Sequence, residues 1–266
     1  MSRHAWRPRD HMADPVALLI LSVFGLVVGS FLNVCIVRLP LGQSVVKPKS
    51  HCQTCGGSLR WFDNIPVCGW ALLGGRCRTC RALISPVYPM VELATPLLFV
   101  MQYSQVGWSA LLLARLVFVS AMVMLFVIDL QHRILPNLIT VPGIGVGLAA
   151  ALMLEPGWRA AMLGALMGSG GLLLIAEIYY RLRHQEGLGM GDVKMLAMIG
   201  AFLGWQQMLV TLLLASLLGS VVGIGMVVLG LGGSKSTLPF GSFLALAAVV
   251  TIATGEPIIQ WYGGFY

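Results

Sequence analysis

The chain has 266 residues, 58% of them hydrophobic and only 10% charged, with a mean hydropathy of +0.86. Those figures exclude an ordinary water-soluble domain and a disordered chain, and they place the protein in a lipid bilayer. The formal net charge of +7 is read as a topology signal rather than as affinity for nucleic acid, because basic residues gather on the cytoplasmic side of membrane proteins and no RNA- or DNA-reading motif occurs.

A spanning helix needs roughly 20 mostly apolar residues, and the expected fold is an all-α polytopic membrane protein of about eight transmembrane helices with one small extramembrane domain. Residues 1–14 are polar and form an N-terminal periplasmic segment. The apolar run Pro15–Val37 is too long for a signal-peptide core and has no small-residue cleavage site after it, so it reads as a retained first span. Hydrophilic sequence follows over 38–85, carrying Lys47, Lys49, Arg60, Arg76, Arg78 and Arg81 and five of the six cysteines. It is the expected extramembrane domain. Seven further apolar runs cover Pro86–Tyr103, Trp108–Ile128, Leu138–Leu154, Trp158–Tyr180, Val193–Trp205, Met208–Leu231 and Leu238–Thr254. Together they make a transmembrane region over 86–254, with a periplasmic tail over 255–266. The run from Val193 is short for a crossing.

Alternating spans put Arg38, the six basic residues of the domain, Arg133, Arg181, Arg183, Lys194 and Lys235 on one side, and Arg3, Arg7, Arg9 and Arg159 on the other. Twelve against four assigns the first side to the cytoplasm and both chain ends to the outside.

Within the hydrophilic segment, CQTCGGSL and CRTCRALI form a weak internal repeat of two CxxC knuckles, Cys52/Cys55 and Cys77/Cys80. Four thiolates on tight turns suit a tetrahedral zinc ion, which would replace the hydrophobic core that so short and polar a segment lacks. Two disulfides would use the same four residues, although cytoplasmic thiols are normally kept reduced. Cys35 reads as an apolar packing residue, and Cys68 has no obvious partner. A zinc site with no open position is structural, so the knuckles alone imply no reaction.

Acidic residues inside or at the ends of apolar runs are costly and usually functional. They are Glu92, Asp129, Glu177 and Asp192. Asp129 ends a span in MLFVIDLQHRILPN, and Asp192 follows Gly189 and Gly191 in GLGMGDVKMLAMIG. The alternating topology sets both aspartates at one depth, on the cytoplasmic boundary, although 63 residues separate them. Two-carboxylate chemistry requires such a pair, one group taking a proton from water while the other polarises a carbonyl. Each also has a plainer reading: Asp192 as the cap of a helix starting at Val193, and Asp129 as an interfacial charge near Arg133. Gly189 and Gly191 would let backbone come close to an aspartate or to an extended substrate. Glu177 is positioned to pair with Arg181 one turn on, and Arg115, within a span, requires a partner.

Several segments, in order, resemble the type IV prepilin peptidases, the bacterial inner-membrane leader peptidases of pilus and type II secretion systems. They are GSFLNVCIVRLP (Gly29–Pro40), the CxxC knuckles bracketing DNIPVCGW, YPMVE (Tyr88–Glu92), IDLQHRILPN (Ile128–Asn137), GMGDVK (Gly189–Lys194) and LPFGSFLALA (Leu238–Ala247). The resemblance implies an intramembrane aspartic protease with Asp129 and Asp192 as the catalytic pair. Type IV prepilins and type II secretion pseudopilins would be its substrates, cleaved after glycine at the cytoplasmic face. It also implies zinc on Cys52, Cys55, Cys77 and Cys80, and methylation of the new amino terminus from S-adenosylmethionine. No glycine-rich strand-to-helix motif for such a cofactor is present. Glu92 is the residue assigned to the vicinity of methyl transfer, with ion pairing or helix anchoring as the alternative. Expected contacts are protein substrates and membrane lipids, not nucleic acid.

Two rival readings follow from the same residues. A transporter or channel would line a midplane pathway with Asp129, Asp192, Glu177 and Arg115 and show repeat symmetry, whereas the aspartates share an edge and no convincing repeat is seen. A membrane-anchored zinc scaffold would leave the aspartates idle.

Overall fold

The computed structural model describes residues 14–47, 50–184, 189–230 and 238–263. The expectations for residues 1–13, for Lys49 and Lys235, for the last residue of the run ending at Leu231 and for 264–266 lie outside the described residues. Among the described residues there are eight α-helices, and the only β pairing is two isolated bridges. Four of these helices are long and apolar enough to cross a membrane: α1, α4, α6 and α7. The chain divides into two compact units, Met1–Met124 and Leu125–Tyr266.

In the first unit, α1 (Pro15–Arg38) begins where Asp14 accepts the amides of Val16 and Ala17 at 3.0 and 3.2 Å, with Pro15 at the first helical position. The helix packs on α3 (Val87–Val106) along a stripe of small residues: a Cβ on Gly25 would meet Pro96, and one on Gly29 would stand 2.9 Å from the Glu92 Cα. Close backbone approach of this kind is how helices associate in lipid, where burial of apolar surface supplies no drive. Leu19, Val23 and Val27 remain exposed, as a lipid-facing surface requires. The cysteine segment links the two helices, with 3-10 turns at Leu39–Leu41 and Trp61–Asn64 and the short helix α2 (Cys68–Leu72). Early in α4 (Ala110–His132), Arg115 finds the partner it requires, donating to Gln105 Oε1 at 2.8 Å.

The second unit holds the last turns of α4 and then α5 (Asn137–Ala150), α6 (Trp158–Arg183), α7 (Met190–Val228) and α8 (Phe240–Gly263). Here α7 is the hub, in contact with α5, α6 and α8, and Met195, Leu196, Met198, Ile199 and Ala201 are fully buried. Gly164 of α6 and Gly200 of α7 meet backbone to backbone. Helix α8 continues to Gly263, past the apolar run ending at Thr254. On α6, Arg181 pairs with Glu177 at 2.7 Å.

Two apolar runs, Val193–Trp205 and Met208–Leu231, fall on the single element α7. Gly204 interrupts it with φ 79° and ψ 172°, a conformation open only to glycine. The neighbours of α7 show that the chain reverses there. Gly191, at its start, packs on Leu135, as does Gly241 at the start of α8; Gln207, just past the break, packs on Gly255 far along α8; and Gly223 returns to Leu238. The two halves are therefore antiparallel. The first, over 190–203, rises only about 20 Å at ~1.5 Å per residue.

Candidate active site and metal centre

The knuckles fold as the repeat suggests. Cys52 N–H donates to Gly57 O at 2.9 Å and Gly56 N–H to Cys52 O at 2.9 Å; in the second copy Cys77 N–H donates to Ala82 O at 2.8 Å and Arg81 N–H to Cys77 O at 3.0 Å. The residue after each second cysteine, Gly56 or Arg81, has a left-handed φ of 68° or 60°. All six cysteines are free, and the metal-binding atoms of Cys52, Cys55, Cys77 and Cys80 lie within 4.8 Å of one another, with Cys52 and Cys80 sulfurs 3.8 Å apart. A tetrahedral ion with ~2.3 Å bonds to sulfur separates its ligands by roughly 3.8 Å, so the four thiols fit such an ion, whereas a disulfide would need ~2.05 Å. The backbone amides of Cys55 and Thr54 lower Cys52 to about 6, so it is largely thiolate at neutral pH. Cys80, despite the amide of Ala82, is raised to about 11 by burial and by the neighbouring thiols.

A second fastening holds the knuckle domain. Arg78 forks onto Asp63, its NH2 group 2.6 Å from Oδ1 and its Nε 3.1 Å from Oδ2. That guanidinium holds the Asp63 carboxyl below the usual carboxylate range.

Beside the knuckles lies a cleft of about 410 Å³, lined among others by Asn33, Arg38, Asp63, Trp70, Tyr88 and Glu92. Its size falls within the ~300–1,000 Å³ of small-molecule sites. Glu92, 8% exposed, accepts the Val67 amide at 2.7 Å through Oε2. Val67 itself is strained, a β-branched residue at φ 61°, ψ −50°. Its amide, rather than a cationic side chain, is the partner that Glu92 finds.

In the second unit, Asp129 and Asp192 stand at one end of the bundle. Asp129 is 5% exposed, on the last turn of α4. Asp192 is half-buried on the first turn of α7, whose cap is Gly189. Asp192 is therefore inside the helix and not its cap. Leu135 fills the space between the two helix starts: a Cβ on Gly191 would come within 2.9 Å of it, and so would one on Gly241. Lys194 donates to Asn137 at 2.9 Å, tying the start of α7 to that of α5. Gly191 is required for space. Gly189, at φ −73°, has an ordinary backbone, and a Cβ there would be 3.4 Å from Asp192 Oδ2.

One residue that sequence reasoning did not single out joins this group. Ser242 donates its amide to Asp129 Oδ2 at 2.6 Å, with its hydroxyl 3.0 Å from the same oxygen. Its only sequence signal is a hydroxyl in the first turn of an apolar helix, inside the LPFGSF segment.

Comparison with known proteins gives two adjoining family matches: "Bacterial Peptidase A24 N-terminal domain" over residues 23–106 and "Type IV leader peptidase family" over residues 116–224. Among similar proteins is one from Myxococcus xanthus, 46% identical, aligned over 79% of this chain but only 63% of the relative's own length. Others are from Aeromonas hydrophila, 36% identical over 90% of this chain and 91% of the relative, and Pseudomonas aeruginosa, 34% identical over 95% and 96%. All three are named "Prepilin leader peptidase/N-methyltransferase". No solved structure matches the chain.

Proposed function

The chain belongs to the type IV leader peptidase family, and from that premise we propose that it is an intramembrane aspartic endopeptidase. It removes the basic leader of type IV prepilins and type II secretion pseudopilins, cutting after glycine at the cytoplasmic face of the inner membrane. Asp129 and Asp192 are the catalytic pair. The observation that carries this reading is the convergence of two acids, 63 residues apart in sequence, at the same end of one bundle, with Gly191 and Gly241 closed on the shared Leu135.

One carboxylate, ionised, takes a proton from water as the water attacks the scissile carbonyl; the other, protonated, donates to the carbonyl oxygen. Neighbouring negative charges resist each other, so the pair holds one proton and titrates as a unit. A prepilin presents a short basic leader before a hydrophobic helix, so its scissile bond rests at the membrane boundary. Depth selects the bond. Long-range charge does not, because the basic loops of the enzyme suit anionic lipid head groups better than a basic leader.

The enzyme then methylates the new amino terminus. S-adenosylmethionine, when bound, would supply the methyl group as a sulfonium cation, and the cleft beside the knuckles suits such a ligand in size. Glu92 stands in that cleft with one oxygen held by Val67, leaving the other to take the proton that the terminal ammonium must lose before it can accept a methyl group. A zinc ion on Cys52, Cys55, Cys77 and Cys80 has a structural role, and eight crossings place both chain ends outside.

The test is to make Asp129→Asn and Asp192→Asn separately and follow cleavage of a prepilin in membranes. Each change should abolish cleavage while the protein still accumulates, since one surviving carboxylate cannot be acid and base together. Near-normal processing by either variant sinks the dyad.

A further inference from the structure

Ser242 lies 113 residues from Asp129, is 3% exposed, and stands in the first turn of α8. Its amide belongs to the set of helix-start N–H groups that have no partner within the helix, and it points at Asp129 Oδ2 from 2.6 Å, sharing itself with Pro239 O at 3.2 Å. The hydroxyl is the unusual part. Oγ stands 3.0 Å from Asp129 Oδ2 and 3.1 Å from the backbone oxygen of Phe126, one turn earlier on α4. A serine hydroxyl has one proton and two lone pairs, so it can donate to only one of these two oxygens at a time.

We infer that Ser242 is a positioning residue for Asp129, its hydroxyl turning so that the aspartate keeps a full set of hydrogen bonds whether or not it carries a proton. When Asp129 is ionised, the hydroxyl donates to Oδ2 alongside the amide. When Asp129 is protonated, its O–H donates to Oγ, and the serine proton turns to Phe126 O, which has a second lone pair to spare. No bond to carbon forms or breaks and no proton leaves the pair. The rotation of one hydroxyl follows the protonation of one carboxylate. A backbone amide cannot do this, because it only donates.

Physical need supports the assignment. A buried polar atom left without a partner costs about 1–3 kcal/mol, and an acid–base carboxylate changes between donor and acceptor within every turnover. A partner fixed in one role would favour one protonation state and add to the barrier for leaving it. Gly241, beside Ser242, strengthens the case: a Cβ there would stand 3.0 Å from Asp129 Oδ2, so this turn of α8 is shaped to let the carboxylate sit against it.

This inference rests on the reading of Asp129 as half of the catalytic pair. The experiment uses the full-length enzyme purified in detergent, a prepilin substrate, and the variants Ser242→Ala, Ser242→Cys and Asp129→Asn, with kcat, KM and the thermal midpoint measured for each. Cysteine keeps the branching of serine with a somewhat larger atom in place of the hydroxyl oxygen, and is a poor donor and acceptor. Ser242→Ala and Ser242→Cys should both lower kcat about tenfold or more, with KM and the thermal midpoint close to wild type. Wild-type kcat in either variant overturns the role of the hydroxyl, and a loss in Ser242→Ala that cysteine restores reduces it to packing. Should Asp129→Asn remain active, it is the catalytic pair that fails instead.

Discussion

Glu92 is buried on α3, where an unpaired charge is expensive, yet its hydrogen-bond partner is a backbone amide held at a left-handed, β-branched residue. Strain of this kind costs about 1–3 kcal/mol and persists where surrounding structure requires it. Glu92→Gln keeps the shape and an oxygen for the Val67 amide but cannot take a proton. In cells carrying this variant, pilin should be cleaved normally while N-terminal methylation falls about tenfold or more, read by mass spectrometry of the mature amino-terminal peptide. Full methylation would remove Glu92 from the reaction. At this scale the acidic residues were legible because carboxylates in apolar runs stand out by cost alone. Ser242 was not, since a neutral hydroxyl near a helix start has many uses, and only the fold brings it to a carboxylate 113 residues away.

The two knuckles show how much an element can say before it folds. The CxxC spacing and repeat marked four thiols for one centre, and they lie within 4.8 Å of one another; the fork from Arg78 to Asp63 that braces them joins residues with no local pattern. With Cys80 held above the usual thiol range and Cys52 below it, the four close thiols share protons and titrate as a unit. Zinc must displace the protons that the cluster still holds at neutral pH, so its affinity should rise with pH and fall as acid protonates the remaining thiolates. Competition against a chromophoric chelator at pH 5.5, 7 and 8.5 reads this directly, and an affinity independent of pH would exclude thiolate ligation. Cys52→Ser should lower bound zinc at every pH.

At the scale of the whole molecule, α7 decides the topology. Helices and their apolar content were readable from composition, and polar Gln206 and Gln207 marked a boundary between two runs. What the sequence could not supply was the direction of the second run, which depends on Gly204 and on packing against α8. If α7 crosses once, seven crossings put the end at Tyr266 opposite the residues before α1. If its halves cross separately, as their antiparallel course implies, eight crossings return both ends to one side, which the excess of basic residues in the intervening loops makes the periplasm. Alkaline phosphatase fused after Tyr266 should therefore be active and β-galactosidase at the same site inactive, with the reverse for fusions after Ser85. Activity of the cytoplasmic reporter at Tyr266 together with Ser85 would mean that α7 crosses once. Reversal at both sites would instead turn the bundle over, moving Asp129 and Asp192 to the periplasmic face and away from the cytoplasmic leader that the proposed function requires.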